Sequence, residues 1–244
     1  MRILMGVSYK GTAYCGWQRQ TNALSVQEVL ASTWQKVTGE KVTLHGSGRT
    51  DAGVHAICQP VHLDTDTSIP LDKLPFALNV KLPPDIRVLW AKEVSPTFHA
   101  RFDVVRKTYV YKLYWGPHAD PFLTDTYCHV VARPDVDKMK QAAQVLLGEH
   151  DFKAMQATGG HVKSTVRTLY RIDVKEDANR IEIEVEGNGF LYNMVRILAG
   201  TLVYAGWGWL TPEEIARALE AKDRTGLGKT LPPEGLYLKE VVYP

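Results

Sequence analysis

The order of the predicted strands and helices constrains the fold of this chain more than any other feature. Period-two patterns of apolar residues predict strands at 2–9, 41–47, 54–64, 85–94, 105–115, 166–175, 180–186 and 236–242. Helices are predicted between Ser25 and Gly39 and at 70–79, 134–147, 190–205 and 211–221. Strand–helix–strand–strand–helix–strand followed by a similar series predicts an α+β protein of two halves, 1–104 and 105–244.

Several of these boundaries have a local cause. Ser25 followed by Glu28 is a capping box, and Gly39 ends the helix that it starts. Gly148 is predicted to end the third helix, and Pro212 lies at the first position of the last one.

Composition excludes few functions, but it bears on the binding partner and on the cellular compartment. The 244 residues carry a net charge of only +2, yet residues 2–27 and 153–172 contain basic residues and no acid. Such stretches could form one face for an anionic polymer or could be scattered solvated charges, and composition leaves both open. The cysteines, Cys15, Cys58 and Cys128, include no C-x-x-C pair, so we expect a reducing cytoplasm and no zinc site.

A long apolar segment, residues 190–210, contains a single charge, Arg196. An arginine in the middle of a membrane span is costly, so the segment is predicted to be a buried helix, not a span. A buried guanidinium needs an acceptor, and Asp51 is the best candidate; the alternative is that Arg196 reaches the surface.

The loop "GSGRTDAGVHA" at 46–56 places Arg49 and Asp51 among three glycines. Asp51 could simply cap turn amides. Because Ala52 and Gly53 are small, however, a ligand could approach, and a carboxylate that arginine keeps ionised can act as a nucleophile or a base.

Two segments resemble nucleotide-binding motifs but do not match them. "GSGRTD" has Asp51 where G-x-G-x-x-G needs glycine, and "GLGKT" at 226–230 has Asp223 where a P-loop needs its first glycine. The histidines show no metal-ligand spacing, and His150 is predicted to cap a helix end. These mismatches argue against binding of ATP, of a dinucleotide or of a metal ion.

The stretch "TFHARFDVVRKTYVYKLYW" at 97–115 mixes cations with aromatic residues. This mixture suits RNA, whose phosphates bind cations and whose splayed bases stack on rings. An amphipathic strand with one hydrophobic face explains most of the same aromatic residues.

Five sequence blocks in order resemble the TruA family of tRNA pseudouridine synthases. They are "YKGTAYCGWQRQ" at 9–20, "GRTDAGVHA" at 48–56, "RKTYVYKL" at 106–113, "GFLYNMVRILAG" at 189–200 and "PPEGLYL" at 232–238. The resemblance implies isomerisation of uridine to pseudouridine at positions 38, 39 and 40 of the tRNA anticodon stem-loop, without a cofactor. It also implies two ferredoxin-like α/β halves that share a continuous, mainly antiparallel sheet with the active cleft between them, and a cytoplasmic homodimer.

The same resemblance implies roles for individual residues. Asp51 resembles the catalytic aspartate, Tyr109 the tyrosine that stacks on the target uracil, and Arg49 the residue that fills the space of the flipped base. Arg196 resembles the arginine that pairs with the aspartate, and Leu236 lies in the block that forms the apolar wall of the pocket. Arg19, Gln20, Arg101 and Arg106 are predicted to contact RNA.

Two other functions fit parts of the sequence. A non-catalytic RNA-binding protein could use the same scaffold, but it would not need Asp51 and Tyr109, and both are present. A glycosidase would need a second positioned carboxylic acid, for which Asp64 and Asp66 are weakly placed.

Overall fold

A computed structural model of the chain describes residues 1–21, 23–160 and 162–244. Its strands are β1 (Arg2–Tyr9), β2 (His45–Gly46), β3 (His55–Asp64), β4 (Ile86–Val94), β5 (Arg106–Trp115), β6 (Cys128–Val130), β7 (Gly148–Asp151), β8 (Val166–Asp177), β9 (Arg180–Gly187) and β10 (Leu236–Val242). Its α-helices are α1 (Val26–Thr38), α2 (Leu74–Asn79), α3 (Val136–Gln144), α4 (Met194–Gly206) and α5 (Pro212–Glu220). Mainly antiparallel strands with a few helices confirm the predicted α+β class.

The chain forms two compact units. Residues 1–105 and 237–244 make unit 1, and residues 106–236 make unit 2. The C-terminal strand therefore lies with the N-terminal unit, although the sequence places it in the second half. This strand pairs with β3 in parallel register, with Tyr237 opposite His55 and Leu238 opposite Ala56. The sequence did not indicate this pairing, because hydrogen bonds between distant segments leave no local sequence pattern.

Unit 1 is built on strands in the order β4-β1-β3-β10, with β2 paired to β3. The pairs of β1 with β3 and β4 are antiparallel, and the pair of β3 with β10 is parallel. Helix α1 starts where Ser25 accepts a hydrogen bond from the Glu28 amide, and it ends at Gly39 with a φ of 83°, as predicted. The fully buried side chains include Ile3, Met5, Leu30, Trp34 and Leu63.

Unit 2 has strands in the order β5-β9-β8-β7, with antiparallel pairs, and β6 is parallel to β5. The strands predicted at 166–175 and 180–186 are β8 and β9, and they pair as a hairpin around "EDAN" at 176–179, where Ala178 has a φ of 53°. Helix α4 is buried along most of its length. Among the described residues, none of the helices combines the length and hydrophobicity that crossing a membrane requires.

Several predicted boundaries are wrong. The predicted strand 41–47 is only His45–Gly46. Helix α2 begins at Leu74, not at Pro70, because Pro75 has no N–H to continue helical hydrogen bonding. Helix α3 ends at Gln144, so Gly148 starts β7 instead of ending the helix, and α4 starts after Asn193, whose φ of 59° interrupts the predicted helix. Neither β6 nor β7 was expected from the sequence.

Candidate active site

The loop that carries Arg49 and Asp51 is anchored by the residue between them. The Thr50 side chain is buried, whereas Arg49 is exposed and Asp51 half-buried. The Thr50 carbonyl accepts a hydrogen bond from the Trp17 amide at 3.1 Å, and its Oγ1 lies 2.7 Å from the Tyr9 hydroxyl. Anchoring Thr50 therefore orients the backbone on both sides of it.

The anchor continues into a network that returns to the same loop. Because the Tyr9 hydroxyl donates to Gln59 Oε1 at 2.8 Å, the Thr50 hydroxyl is the donor to Tyr9. Gln59 Nε2 then donates to the Gly48 carbonyl at 3.2 Å. Tyr9 lies on β1 and Gln59 on β3, so two paired strands hold the loop from beneath. We did not identify Tyr9, Thr50 or Gln59 from the sequence as site residues.

Two glycines give the loop its shape. Gly53 has a φ of 79°, and after it the Val54 amide donates to the Asp51 carbonyl at 3.1 Å to close a turn. Gly16 has a φ of 98°, and a Cβ there would lie 2.4 Å from the Thr50 carbonyl oxygen. The first and second sequence blocks are thus packed directly on each other in unit 1.

Tyr109 occupies a buried position on β5 in unit 2. It is opposite Val185 of β9, and its ring packs edge-on against Phe190 at a centroid distance of 5.1 Å. Phe190 belongs to the "GFLYN" block, so that block fixes the ring from the side. The Tyr109 ring is therefore held in one orientation, as a stacking platform requires.

Arg196 is half-buried on α4, and neutral acceptors fix its guanidinium within unit 2. Its Nε donates to the Leu231 carbonyl at 2.6 Å, and its Nη1 donates to Asn193 Oδ1 at 2.8 Å. The left-handed backbone of Asn193 brings that side chain beside the arginine. These acceptors orient the cation without neutralising it. Its pairing with Asp51 stays a prediction.

Leu236 is buried at the start of β10, after the 3-10 turn Pro233–Gly235. The Tyr111 hydroxyl donates to the Pro232 carbonyl at 2.7 Å, so the "PPEGLYL" block is attached to β5. Burial beneath this turn raises the pKa of the Tyr111 hydroxyl well above its usual range. Tyr111 therefore serves as a neutral anchor for the block that contains Leu236.

Comparison with known proteins decides which family the chain belongs to. A family model described as tRNA pseudouridine synthase matches residues 5–103 and 142–244. The chain is 49% identical over 244 residues to tRNA pseudouridine synthase A of Ruminiclostridium cellulolyticum, with 99% of each chain covered. It is 47% identical to the proteins of that name from Thermoanaerobacter sp. strain X514, with 99% of both chains covered, and from Bacillus pumilus, with 100% of this chain and 99% of the relative covered.

The chain belongs to the tRNA pseudouridine synthase family. Membership of this family confirms the predicted enzyme class, an isomerase that acts on tRNA. The resemblance of the five blocks is confirmed with it. The roles of the individual residues are not decided by the family match.

The residues predicted to contact RNA in this synthase family member are all exposed. Arg19 lies 3.7 Å from Glu28, and Arg106 lies 3.7 Å from Glu186. Both arginine side chains stay exposed in these pairs, so both remain available to a polyanion. Gln20 donates to the Cys15 carbonyl at 3.1 Å, and the Arg101 guanidinium lies 5.7 Å from the centre of the Phe102 ring.

The structure also brings together three histidines that the sequence did not point to. His45, His62 and His99 have ring nitrogens within 4.8 Å of one another. His45 and His62 are opposite each other in the pair of β2 and β3, which flank the Gly-rich loop. Antiparallel pairing of the predicted strands 41–47 and 54–64 would have placed His45 and His62 opposite each other, and this was the signal in the sequence. His150 is not part of this cluster; it lies on β7, after α3, and its ring contacts the Leu147 carbonyl at 2.8 Å.

Proposed function

We propose that this enzyme converts uridine to pseudouridine at positions 38, 39 and 40 in the anticodon stem-loop of tRNA, with Asp51 as the catalytic carboxylate. The observation that carries the proposal is the loop in unit 1, where buried Thr50 is anchored and the residues on either side of it remain accessible. Fixed backbone geometry is what a reacting carboxylate requires, because small displacements lower rates steeply.

The reaction balances without an oxidant or a reductant. The N1–C1′ bond breaks, the uracil turns, and a C5–C1′ bond forms; C5 loses a proton and N1 gains one. Asp51 takes part through attack on C1′, attack on the uracil ring, or removal of a ribose proton. All three routes need an ionised carboxylate at a defined place, and they share the loss of the proton at C5.

The other predicted residues take supporting roles. The Tyr109 ring, which Phe190 holds, stacks on the extruded uracil, and Leu236 completes the apolar wall. Arg196, oriented by neutral acceptors, pairs with Asp51 and keeps it ionised. Arg49 enters the space that the flipped base leaves, where it offsets part of the lost stacking, about a few kcal/mol, by pairing with phosphate.

RNA outside the target nucleotide would contact Arg19, Gln20, Arg101 and Arg106, all of which are exposed. The proposal includes a homodimer that binds tRNA across both subunits and needs no cofactor. The three cysteines are free thiols, as is typical of cytoplasmic proteins, and we place the reaction in the cytoplasm.

Release of tritium from tRNA labelled at uracil C5 tests the proposal. We expect release by the wild type and none by Asp51→Ala or Asp51→Asn. Asp66→Asn is the matched control, because Asp66 is an exposed acid in the same unit and one of the two weak candidates for a glycosidase acid. Mapping pseudouridine in transcripts with a single uridine at 38, 39 or 40 tests the positions. A folded wild type that binds tRNA but releases no tritium would support an RNA-binding protein instead.

A further inference from the structure

The cluster of His45, His62 and His99 lies in unit 1 outside the residues assigned to the reaction. The His45 and His62 rings are stacked at a centroid distance of 4.7 Å, and His99 meets His62 at 4.7 Å with an interplanar angle of 66°. His62 is buried, His99 half-buried and His45 exposed. The cluster therefore runs from the core to the surface.

Hydrogen bonds of two rings oppose a metal site. His62 Nδ1 accepts from the Ala100 amide, and His99 Nδ1 accepts from the Arg101 amide, each at 3.1 Å. A backbone N–H can only donate, so the proton of each neutral ring lies on Nε2. A metal-binding histidine uses one nitrogen for the metal and donates from the other. These rings would have to give up their backbone bonds to do so.

A cavity of about 360 Å³ opens beside the cluster. None of its described lining residues is acidic; those that matter for binding are Trp17, His45, Arg49, His99, Arg101 and Phe102. Both arginine side chains are donors only, and His99 has its Nε2 proton to donate. Phe102 stacks on His99 at 4.2 Å and is 73% exposed, so a flat group could lie against it. Donors and an exposed ring suit a nucleotide phosphate with its base.

Burial and neighbouring charges disfavour protonation of His62 and His45 in the free protein. Burial, followed by the neighbouring histidines and Arg2, lowers the pKa of His62 to about 4. Burial, His99 and Arg2 also lower the pKa of His45. Asp64 acts in the opposite direction on both rings. His62 and His99 each accept a hydrogen bond from a backbone amide, whereas among the described residues the His45 ring accepts none of this kind. His45 can therefore take up a proton without breaking such a bond.

We propose that this cavity binds a phosphate group of the bound RNA and that binding is coupled to uptake of a proton by His45. A phosphate between Arg49, Arg101 and the histidines adds negative charge beside His45 and favours its charged form. The inference rests on the proposed function for the identity of the ligand. Coupling makes binding tighter as the pH falls.

Binding of tRNA to Asp51→Ala at constant salt tests the coupling without turnover and without the titration of Asp51. We expect about tenfold tighter binding at pH 5.5 than at pH 7.5. Adding His45→Asn and His99→Asn should reduce this to under about twofold; Asn at position 99 retains an acceptor for the Arg101 amide. His118→Asn, at an exposed position in unit 2, is the control and should retain the full effect. An equal pH effect in all variants, or none in any, overturns the proposal.

A second measurement identifies the source of the phosphate. The titration of the His45 ring is followed by NMR in the wild type with inorganic phosphate and, separately, with an anticodon stem-loop RNA in which the target uridines are replaced by cytidine. The proposal expects the RNA to raise the pKa of His45 by about one unit. An unchanged pKa with RNA, or a rise with phosphate alone, overturns it. Tritium release at pH 7.5 separates the two proposals: release with an unchanged His45 contradicts only the cavity, and a raised pKa without release contradicts only the proposed function.

Discussion

The Tyr9 hydroxyl donates a hydrogen bond of 2.8 Å to Gln59 Oε1 beneath the loop that carries Asp51. The same hydroxyl accepts from Thr50, and Gln59 donates back to Gly48. Neither Tyr9 nor Gln59 touches the predicted substrate in our proposal. Their role is to give Arg49 and Asp51 a fixed backbone.

Tyr9→Phe should therefore impair catalysis as well as stability. The change leaves Thr50 and Gln59 short of a buried partner and should cost about 1–3 kcal/mol of unfolding free energy. A loosened loop should lower kcat about tenfold or more with little change in KM. Tyr14→Phe is the matched control: it loses a bond of 2.7 Å to Asp85 in the same unit but leaves this network intact. Equal losses of kcat in both variants would contradict the role of the network.

Gly16→Ala tests the contact between the first two sequence blocks. Its Cβ would lie 2.4 Å from the Thr50 carbonyl, and the φ of 98° adds strain. Gly39→Ala has similar strain, with a φ of 83°, but nothing lies within 4 Å of its Cβ. Urea unfolding should show a loss of about 1 kcal/mol for Gly39→Ala and clearly more for Gly16→Ala. Only Gly16→Ala should also lower tritium release; if it retains full activity, the two blocks are not coupled.

Arg196→Met should reduce activity more than folding if Arg196 pairs with Asp51. The variant loses hydrogen bonds to the Leu231 carbonyl and to Asn193. Arg224→Met loses a similar set, to the Gly228 carbonyl and Thr230, in the same unit. We expect similar melting temperatures for the two variants, but a kcat about 100-fold lower only for Arg196→Met. A fall in melting temperature that accounts for all the lost activity would indicate a structural role.

Acid should destabilise the protein through His62. The pKa of His62 is lowered to about 4, whereas an unfolded histidine titrates near 6.5, so between these values the unfolded state binds more protons. Stability is therefore lost as the pH falls below about 6.5, by about 2 kcal/mol from this group at pH 5. Urea unfolding at pH 7.5 and pH 5 measures the loss. His62→Asn, which retains an acceptor for the Ala100 amide, should show a smaller loss, and an unchanged pH dependence would exclude His62 as its source.

Affinity for tRNA should fall as salt rises, because bound cations displace counterions from phosphates. Arg19→Gln, Arg101→Gln and Arg106→Gln should each reduce the slope of log affinity against log salt by about one. Arg133→Gln is the control, since Arg133 forms an exposed ion pair of 2.8 Å with Glu176 in unit 2 and has no predicted RNA contact. Filter binding between 50 and 300 mM salt, about the range where such slopes are measured, gives the values. If the affinity of the wild type for tRNA does not change with salt, the prediction that these basic residues bind RNA phosphates is wrong.

Local patterns in the sequence predicted much of this protein. The Ser25 cap, the Gly39 end, the hairpin at 176–179 and strand β10 at its full bounds all follow from neighbouring residues, whose conformational preferences act over a few positions. The order of these elements predicted the α+β class. The loop with Arg49 and Asp51 was visible because three glycines rule out regular structure there.

Contacts between distant segments were decided only by the tertiary structure. The short β2, the placement of β10 beside β3, the network of Tyr9, Thr50 and Gln59, and the histidine cluster all join residues far apart in the chain. Hydrogen bonds and ring stacking of this kind depend on strand register, which a single sequence does not encode locally. Thus the sequence by itself singled out the loop that we propose to react, and the packing of β1 and β3 against it decided how that loop is held.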